Sequence, residues 1–403
     1  NPIRRSLSQF RIVRICNINT GTTSFGSRQM GTIVIEETEV GGLYEMFKQM
    51  IRPVMLLLAL SLVAGACSDD AADDAAPAAT TAAPAATTAA PAATTAVEDP
   101  TELKIAMIIV SVKEEPWYAT YIDAIGRVTD AKPHGLDITL DIFEGVDYAD
   151  GERIIRDLAA SSKYGMILAH STYSDSVAAV RDEFPDILFS YSGSGNEPLG
   201  GNAYWVDVFI HEPSYLAGII AGMMTETNKI SGVFPFPYPN VNAPMNAYIA
   251  GARSVNPDIE ATATYIESWF DPMTARESAA AQIAAGSDMI YMERFGPLEA
   301  VEEADGVYAF GHFNDQHSLN PDLVLTSPIA LWDPAFMTMV DAWWAYKTEG
   351  TPYDGPMERI LFYMPGGGSG LGTISDSVPA DVLAIVEETR EKIMSGELVL
   401  EIN

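Results

Sequence analysis

Four carboxylates stand where short apolar runs break off: Glu114, Asp271, Glu293 and Asp315. Glycoside hydrolysis needs two such groups at a fixed separation across the bond, and nothing in the sequence sets such a pair. His312 and His317 lie five apart with Asp315 between them, but a metal site needs further convergent ligands, and none is visible. PGGGSGLG (365–372) has the glycines of a phosphate loop without its Lys-Ser/Thr ending or a helix directly after it, so it reads as a flexible connection. There is no nucleophile elbow, Cys-His pair or zinc motif, and no cofactor is expected. What remains is recognition chemistry. Trp117 in EEPWY and the adjacent Trp269 and Phe270 in ESWFDP each sit beside polar groups, an arrangement in which a ring stacks on a flat ligand while hydrogen bonds orient it.

The elements that must hold these residues alternate. LKIAMIIV (103–110), LDITLDIF, GMILAH and DILFSYS are apolar runs separated by helical stretches, as in a parallel sheet covered on both faces. After AYWVDVF and a helix expected over about 212–227, the rhythm restarts with ISGVFPF, EATATYIES, SDMIYMER and GVYAFGHF. The pattern predicts α/β architecture with two doubly wound lobes around a central cleft, at about 101–210 and 211–326. The section 327–403 has too few strands for a third lobe and is expected to complete the first two. Ligands bind beyond the carboxyl ends of such strands. The loops there are EEPWY, HSTYSD, SGSGNE, PFPYPN, SWFDP, ERFGP and HFNDQ, and they offer Trp117, Tyr173, Trp269, Phe270, Glu293 and Asp315 as candidate ligand contacts. In the Trp269–Phe270 pair, strand alternation sends neighbours to opposite faces. One ring is expected to pack into the second lobe, and Trp269 to project into the cleft. Asp271 and Pro272 would start the next helix. Trp343 and Trp344 fall mid-helix, where at least one is expected in the core or at a lobe contact.

The chain has 403 residues and a formal net charge of −32, from 55 acidic against 23 basic side chains. Such a surface repels phosphate backbones, which excludes nucleic acid as a partner. Lys48 and Arg52 precede the apolar run Val54–Ala64 and then Gly65, Ala66 and Cys67. This is a signal peptide in outline, too short to span a membrane. Met46, Met50 or Met55 could be the start, leaving residues 1–45 as upstream sequence. VAGAC resembles a bacterial lipobox, with Ala64 where a branched residue is commoner. Cys67 is then either the lipidated N-terminus or an incidental thiol in a peptide cut slightly later. Ser68–Val97 is almost entirely Ala, Pro, Thr and Asp, which has no apolar face to bury and reads as a disordered tether. Residues 1–66 are thus expected to be removed, and 67–100 to anchor a domain over 101–403 to the outer face of the cell membrane.

The second half, ISGVFPFP…NAYIAGARSVNPDIEATATYIESWFDPMTARESAAAQIAAGSDMIYM…GVYAFGHFNDQ…PDLVLTS, with the ending VPADV…EKIMSGELVL, resembles the BMP family of substrate-binding lipoproteins of ABC importers, which includes purine nucleoside and nucleobase binders. The resemblance covers roughly 101–403 and is most specific in the second lobe. It implies a type I periplasmic-binding-protein fold, a small molecule clamped between lobes without chemistry, permease subunits as partners, and a monomer. Trp269 or Phe270 matches the position that stacks on the base, and Asp315 an acidic residue that hydrogen-bonds the ligand. Two departures stand out. Ala330 lies where nucleoside binders often carry Lys. The first loop has Glu114, Glu115 and Trp117 in place of Asp, Asn and Phe, closer to a subgroup suited to a free base. A sensor with the same fold, or a binder of a sugar or another heterocycle, remains open.

Overall fold

The computed structural model describes residues 99–402, together with the backbone of Arg11–Ile15 and Glu37–Glu39. The expected leader, Cys67 and the tether lie outside the described residues. The strand Arg11–Ile15 runs parallel to Leu398–Ile402.

The apolar runs Met166–Ala169, Leu188–Tyr191 and Met289–Met292 become strands in which every residue is buried, the signature of a sheet with helices on both faces. The first sheet has six parallel strands in the order Ile360–Phe362, Ala203–Val208, Leu188–Tyr191, Met166–Ala169, Glu102–Ile108, Asp137–Phe143. The second has five, in the order Val324–Thr326, Tyr308–Phe310, Met289–Met292, Lys229–Phe234, Glu260–Tyr265. In each sheet the strand that comes first in sequence lies between the second and the third. The winding therefore reverses beside it, and a crevice opens at the carboxyl ends there.

The chain passes between the lobes three times. It leaves the first through Phe209 and Ile210 into helix His211–Met224, which packs in the core of the second lobe. It returns through Pro328–Ala330 to helix Asp333–Glu349, whose Phe336, Met339, Val340 and Trp343 join Trp332 in the core of the first. It crosses again through Ser369–Leu371 to helix Ala380–Met394, whose Val382, Val386 and Ile393 pack on the second lobe. Helices His211–Met224 and Pro239–Val255 approach so closely that a Cβ on Gly218 would stand 2.0 Å from the Tyr248 carbonyl oxygen, and one on Gly251 2.0 Å from that of Tyr215.

Three sequence expectations change. PGGGSGLG is a paired crossing, not a loose connection: Ser369–Leu371 pairs antiparallel with Pro328–Ala330, and a Cβ on Gly368 would meet that of Phe362 at 2.4 Å. The stretch SDSVAAVRDEF (174–184), helical by its pattern, is α-helix only to Ala178, because the buried Val180 takes φ −116° and Arg181 turns to donate to the carbonyls of Leu199 and Gly200. The stretch NAPMNAYIAGARSV (242–255) has the pattern of a helix, but the helix begins three residues earlier, at Pro239, where a missing N–H costs nothing.

Candidate functional site

At the switch point of the first lobe, strand Glu102–Ile108 ends and helix Pro116–Asp130 begins, with Glu115 as its N-cap. Trp117, on the first turn, stacks on His170 at 5.2 Å and 16°, and meets Phe313 and Trp332 edge-on at 5.3 and 5.1 Å. His170 is fully buried and bonds Ser192 Oγ through Nδ1. Burial pulls its pKa down to about 3, so a neutral imidazole backs the indole. Phe313 holds φ +61°, a left-handed conformation that a bulky residue adopts only when its surroundings enforce it. Its carbonyl accepts from Ala330 N at 2.7 Å, fixing it to the second crossing.

At the matching point of the second lobe, Glu293 and Arg294 follow strand Met289–Met292. Arg294 Nε donates to Glu293 Oε2 at 2.6 Å and Nη2 to Oε1 at 3.2 Å, while Nη1 donates to the carbonyl of Trp269. Its guanidinium carbon lies 5.8 Å from the Trp269 ring centre. Across the cleft, Arg294 Nη2 reaches Glu115 Oε1 at 3.6 Å. His312 accepts or donates at Nδ1 with Tyr291 Oη at 3.0 Å, and its Nε2 lies 3.7 Å from Glu293. Two carboxylates thus share one guanidinium out of water. Burial raises the pKa of Glu293 to about 7, with Arg294 opposing and Glu115 adding to the rise. Burial likewise raises Glu115 against the pull of Arg294. Burial, then Arg294, hold His312 neutral.

Trp269 stands beside Phe236 at 5.3 Å and Tyr238 at 6.1 Å, the latter nearly parallel at 22°. Contrary to expectation, neither member of the Trp269–Phe270 pair is packed into the second lobe: they are 48% and 60% exposed, and Phe270 meets only the edge of Phe295 among the described rings. The reason is that strand Glu260–Tyr265 has already ended, so alternation no longer governs 269 and 270. Asp271 caps helix Pro272–Ala284 as expected, accepting from Thr274 N at 3.1 Å.

Tyr173, expected in the cleft, is a core residue of the first lobe, with its hydroxyl donating to the Val146 carbonyl; neither ring face nor hydroxyl is left for a ligand. Asp315 sits at the third crossing, where Oδ2 accepts from Thr373 N and Oγ1 at 2.9 and 2.6 Å and Oδ1 from His317 N at 3.2 Å. None of its hydrogen bonds reaches the groups of Trp117, Trp269 or Glu293. The structure thus brings together Trp117 with His170, and Trp269 with Glu293 through Arg294. Of the carboxylates open to a hydrolytic role, Asp271, Glu293 and Asp315 all have structural partners. Sequence reasoning did not single out Arg294. The available signal was its rarity: a cation at a strand's end in a chain with 23 Lys and Arg.

Between the lobes, Trp117, Asp207, Phe209, Asn240, Pro244 and Phe313 enclose only about 20 Å³, room for about one water. Pro244 lies inside helix Pro239–Val255 and has no N–H to return to the Asn240 carbonyl. That carbonyl loses its usual helical donor at the wall of this space. A larger cavity of about 560 Å³ opens beside the first crossing, lined by Phe209, His211, Glu212, Asn240, Arg359 and Tyr363 among others. It lies off the switch points and shares only Phe209 and Asn240 with the small one.

Residues 102–345 match the family described as PnrA-like ABC transporter substrate-binding proteins. The chain is 31% identical to a provisionally named ABC transporter glucose-binding protein, TsgA13, of Haloferax volcanii over 63% of this chain and 63% of that protein. It is 28% identical to a purine-binding protein of Brucella abortus over 62% of this chain and 69% of that one. The structure of an ABC transporter solute-binding protein from Conexibacter woesei superposes with a TM-score of 0.61 at 22% identity, covering 74% of this chain and 99% of that one. One from Aeropyrum pernix gives 0.60 at 16%, covering 75% and 94%. The two parallel sheets joined by three crossings are the type I periplasmic-binding fold, and the chain belongs to the PnrA-like, or Bmp, family of ABC transporter substrate-binding proteins.

Proposed function

We propose that this protein captures a purine nucleobase or nucleoside between its lobes and delivers it to the permease subunits of an ABC importer, with Cys67 lipidated to hold it at the outer face of the membrane. The observation that carries the ligand class is the ring group at the strand ends of the second lobe, with Tyr238 and Trp269 exposed and Phe236 half-buried beside them, one residue from the Arg294–Glu115 contact. An exposed indole held by neighbouring rings is a stacking platform. The Asn240 carbonyl, which loses its usual helical donor at Pro244, supplies an acceptor that matches the N–H edges of a purine. The ligand is bound and released unchanged, by one polypeptide acting as a monomer.

Titration calorimetry of the full chain with adenine, guanine and their nucleosides tests this. Saturable binding of any of them supports it; binding of glucose with none of the purines overturns the ligand class. The sugar reading is the second one, favoured by the name of the Haloferax relative and by the ability of aromatic faces to stack on pyranose rings.

A further inference from the structure

Glu115 and Arg294 belong to opposite lobes, yet their side chains lie 3.6 Å apart and retain only 10% and 6% of their exposure. We propose that this pair is a clasp that sets how far the lobes close and how long a ligand stays, which rests on the reading of the cleft as the ligand site. The remaining ion pairs between described residues join groups within one lobe, and most are exposed, as with Arg127–Asp333, Arg276–Glu303 and Lys104–Asp141. Solvent and salt screen those; a pair withdrawn from water is screened far less.

The arrangement is asymmetric in a way that suits a reversible contact. Arg294 is held on its own lobe by both oxygens of Glu293 and by the Trp269 carbonyl. When the lobes part it keeps those partners. Glu115 loses its counter-ion on opening but regains water, so opening strands no buried charge. That avoids the large penalty of breaking a buried pair by deleting one member. Arg294 also touches the ring proposed to stack on the ligand, so closure and the platform share one side chain.

The test uses the full chain and the variants Glu115→Gln and Glu115→Asp. Amide hydrogen exchange, small-angle scattering and calorimetry with stopped-flow dissociation are read together. For Glu115→Gln, exchange should rise on both sides of the cleft, in 109–118 and in 292–297, with a larger radius of gyration and interior strands unchanged. Purine dissociation should accelerate about 10-fold, as when a charge pair across an interface loses one charge. Glu115→Asp, which keeps the charge but shortens its reach, should fall between parent and Gln. A rise in exchange confined to 109–118, with scattering and dissociation unchanged, overturns the clasp. If the lobes open in Glu115→Gln while the parent binds no purine, the clasp stands and the ligand class falls. If purine binds and the lobes do not respond, the reverse holds.

Discussion

Trp269 touches Phe236, Tyr238 and Arg294 and still presents about half of its surface to solvent. Its removal therefore leaves no cavity, and Trp269→Ala should keep the parent's melting temperature. Stacking of a base on an aromatic ring is worth roughly 1–3 kcal/mol, so purine affinity should drop about 5- to 150-fold by calorimetry. Phe270→Ala should leave affinity within about threefold, since its ring meets only Phe295 and no polar member of the site. A second residue carries a pH dependence. Glu212 is buried and accepts from Met364 N at 2.7 Å. Burial lifts its pKa to about 7, against the pull of that N–H. Below its unfolded pKa, near 4.5, the group is protonated folded or unfolded. Between there and 7 the folded chain holds a proton that the unfolded one has released, so stability from this group falls as pH rises and levels off above 7. Glu212→Gln removes that loss. Its stability relative to the parent, read from urea midpoints, should climb from pH 4.5 to 7 and then flatten, reaching at most about 3.5 kcal/mol at about 1.4 kcal/mol per pKa unit. A constant difference across that window would refute it. Trp117 and Glu293 were legible as loop residues beyond buried strands, but the pairing of Arg294 with Glu115 was not, because only the facing of two lobes creates it. Tyr173 misled for a different reason: its loop lies at the cleft end while its ring turns into the core of its own lobe, toward Val146.

The strands were the legible elements, since burial on both faces leaves continuous apolar runs, and so was the Asp271–Pro272 helix start. The second and third crossings were not. Pro328–Ala330 and Ser369–Leu371 are three residues each, too short to show a period, and glycines that permit a close backbone approach look in sequence like those of a loose loop. The helix pair His211–Met224 and Pro239–Val255 shows the same use of glycine at larger scale. Neither Gly218 nor Gly251 has room for a Cβ. Gly218→Val should push the helices apart and cost about 1–3 kcal/mol, the usual range for overpacking a filled interface. The urea midpoint should fall accordingly, and the same substitution at Gly350, which has nothing near its Cβ position but φ +69°, should cost only its local backbone strain. Equal losses at both sites would show that helix contact is not what Gly218 protects.

As a whole molecule the described chain is two lobes tied at three crossings, a layout that permits hinge motion while keeping each core intact. Among the described residues no helix is long and apolar enough to cross a membrane, and the proposed attachment is through Cys67. In cells, Cys67→Ser should move the protein from the membrane to the soluble fraction; retention with unchanged lipid labelling would refute the anchor. The space of about 20 Å³ between Trp117 and Asn240 has a kinetic meaning as well. A purine cannot pass into it, so entry waits for a less closed form, and the association rate is the intrinsic one multiplied by the fraction of molecules that are open. If that fraction is about one tenth, association is about tenfold slower than an always-open cleft would allow, while the grip itself comes from the lobes closing on the ligand. Linkage makes the relation mutual: a permease that prefers the open form must loosen the ligand by the same factor as the ligand weakens the docking of that permease. The narrowness of the cleft would then make delivery directional, with the grip released where the transporter receives its cargo.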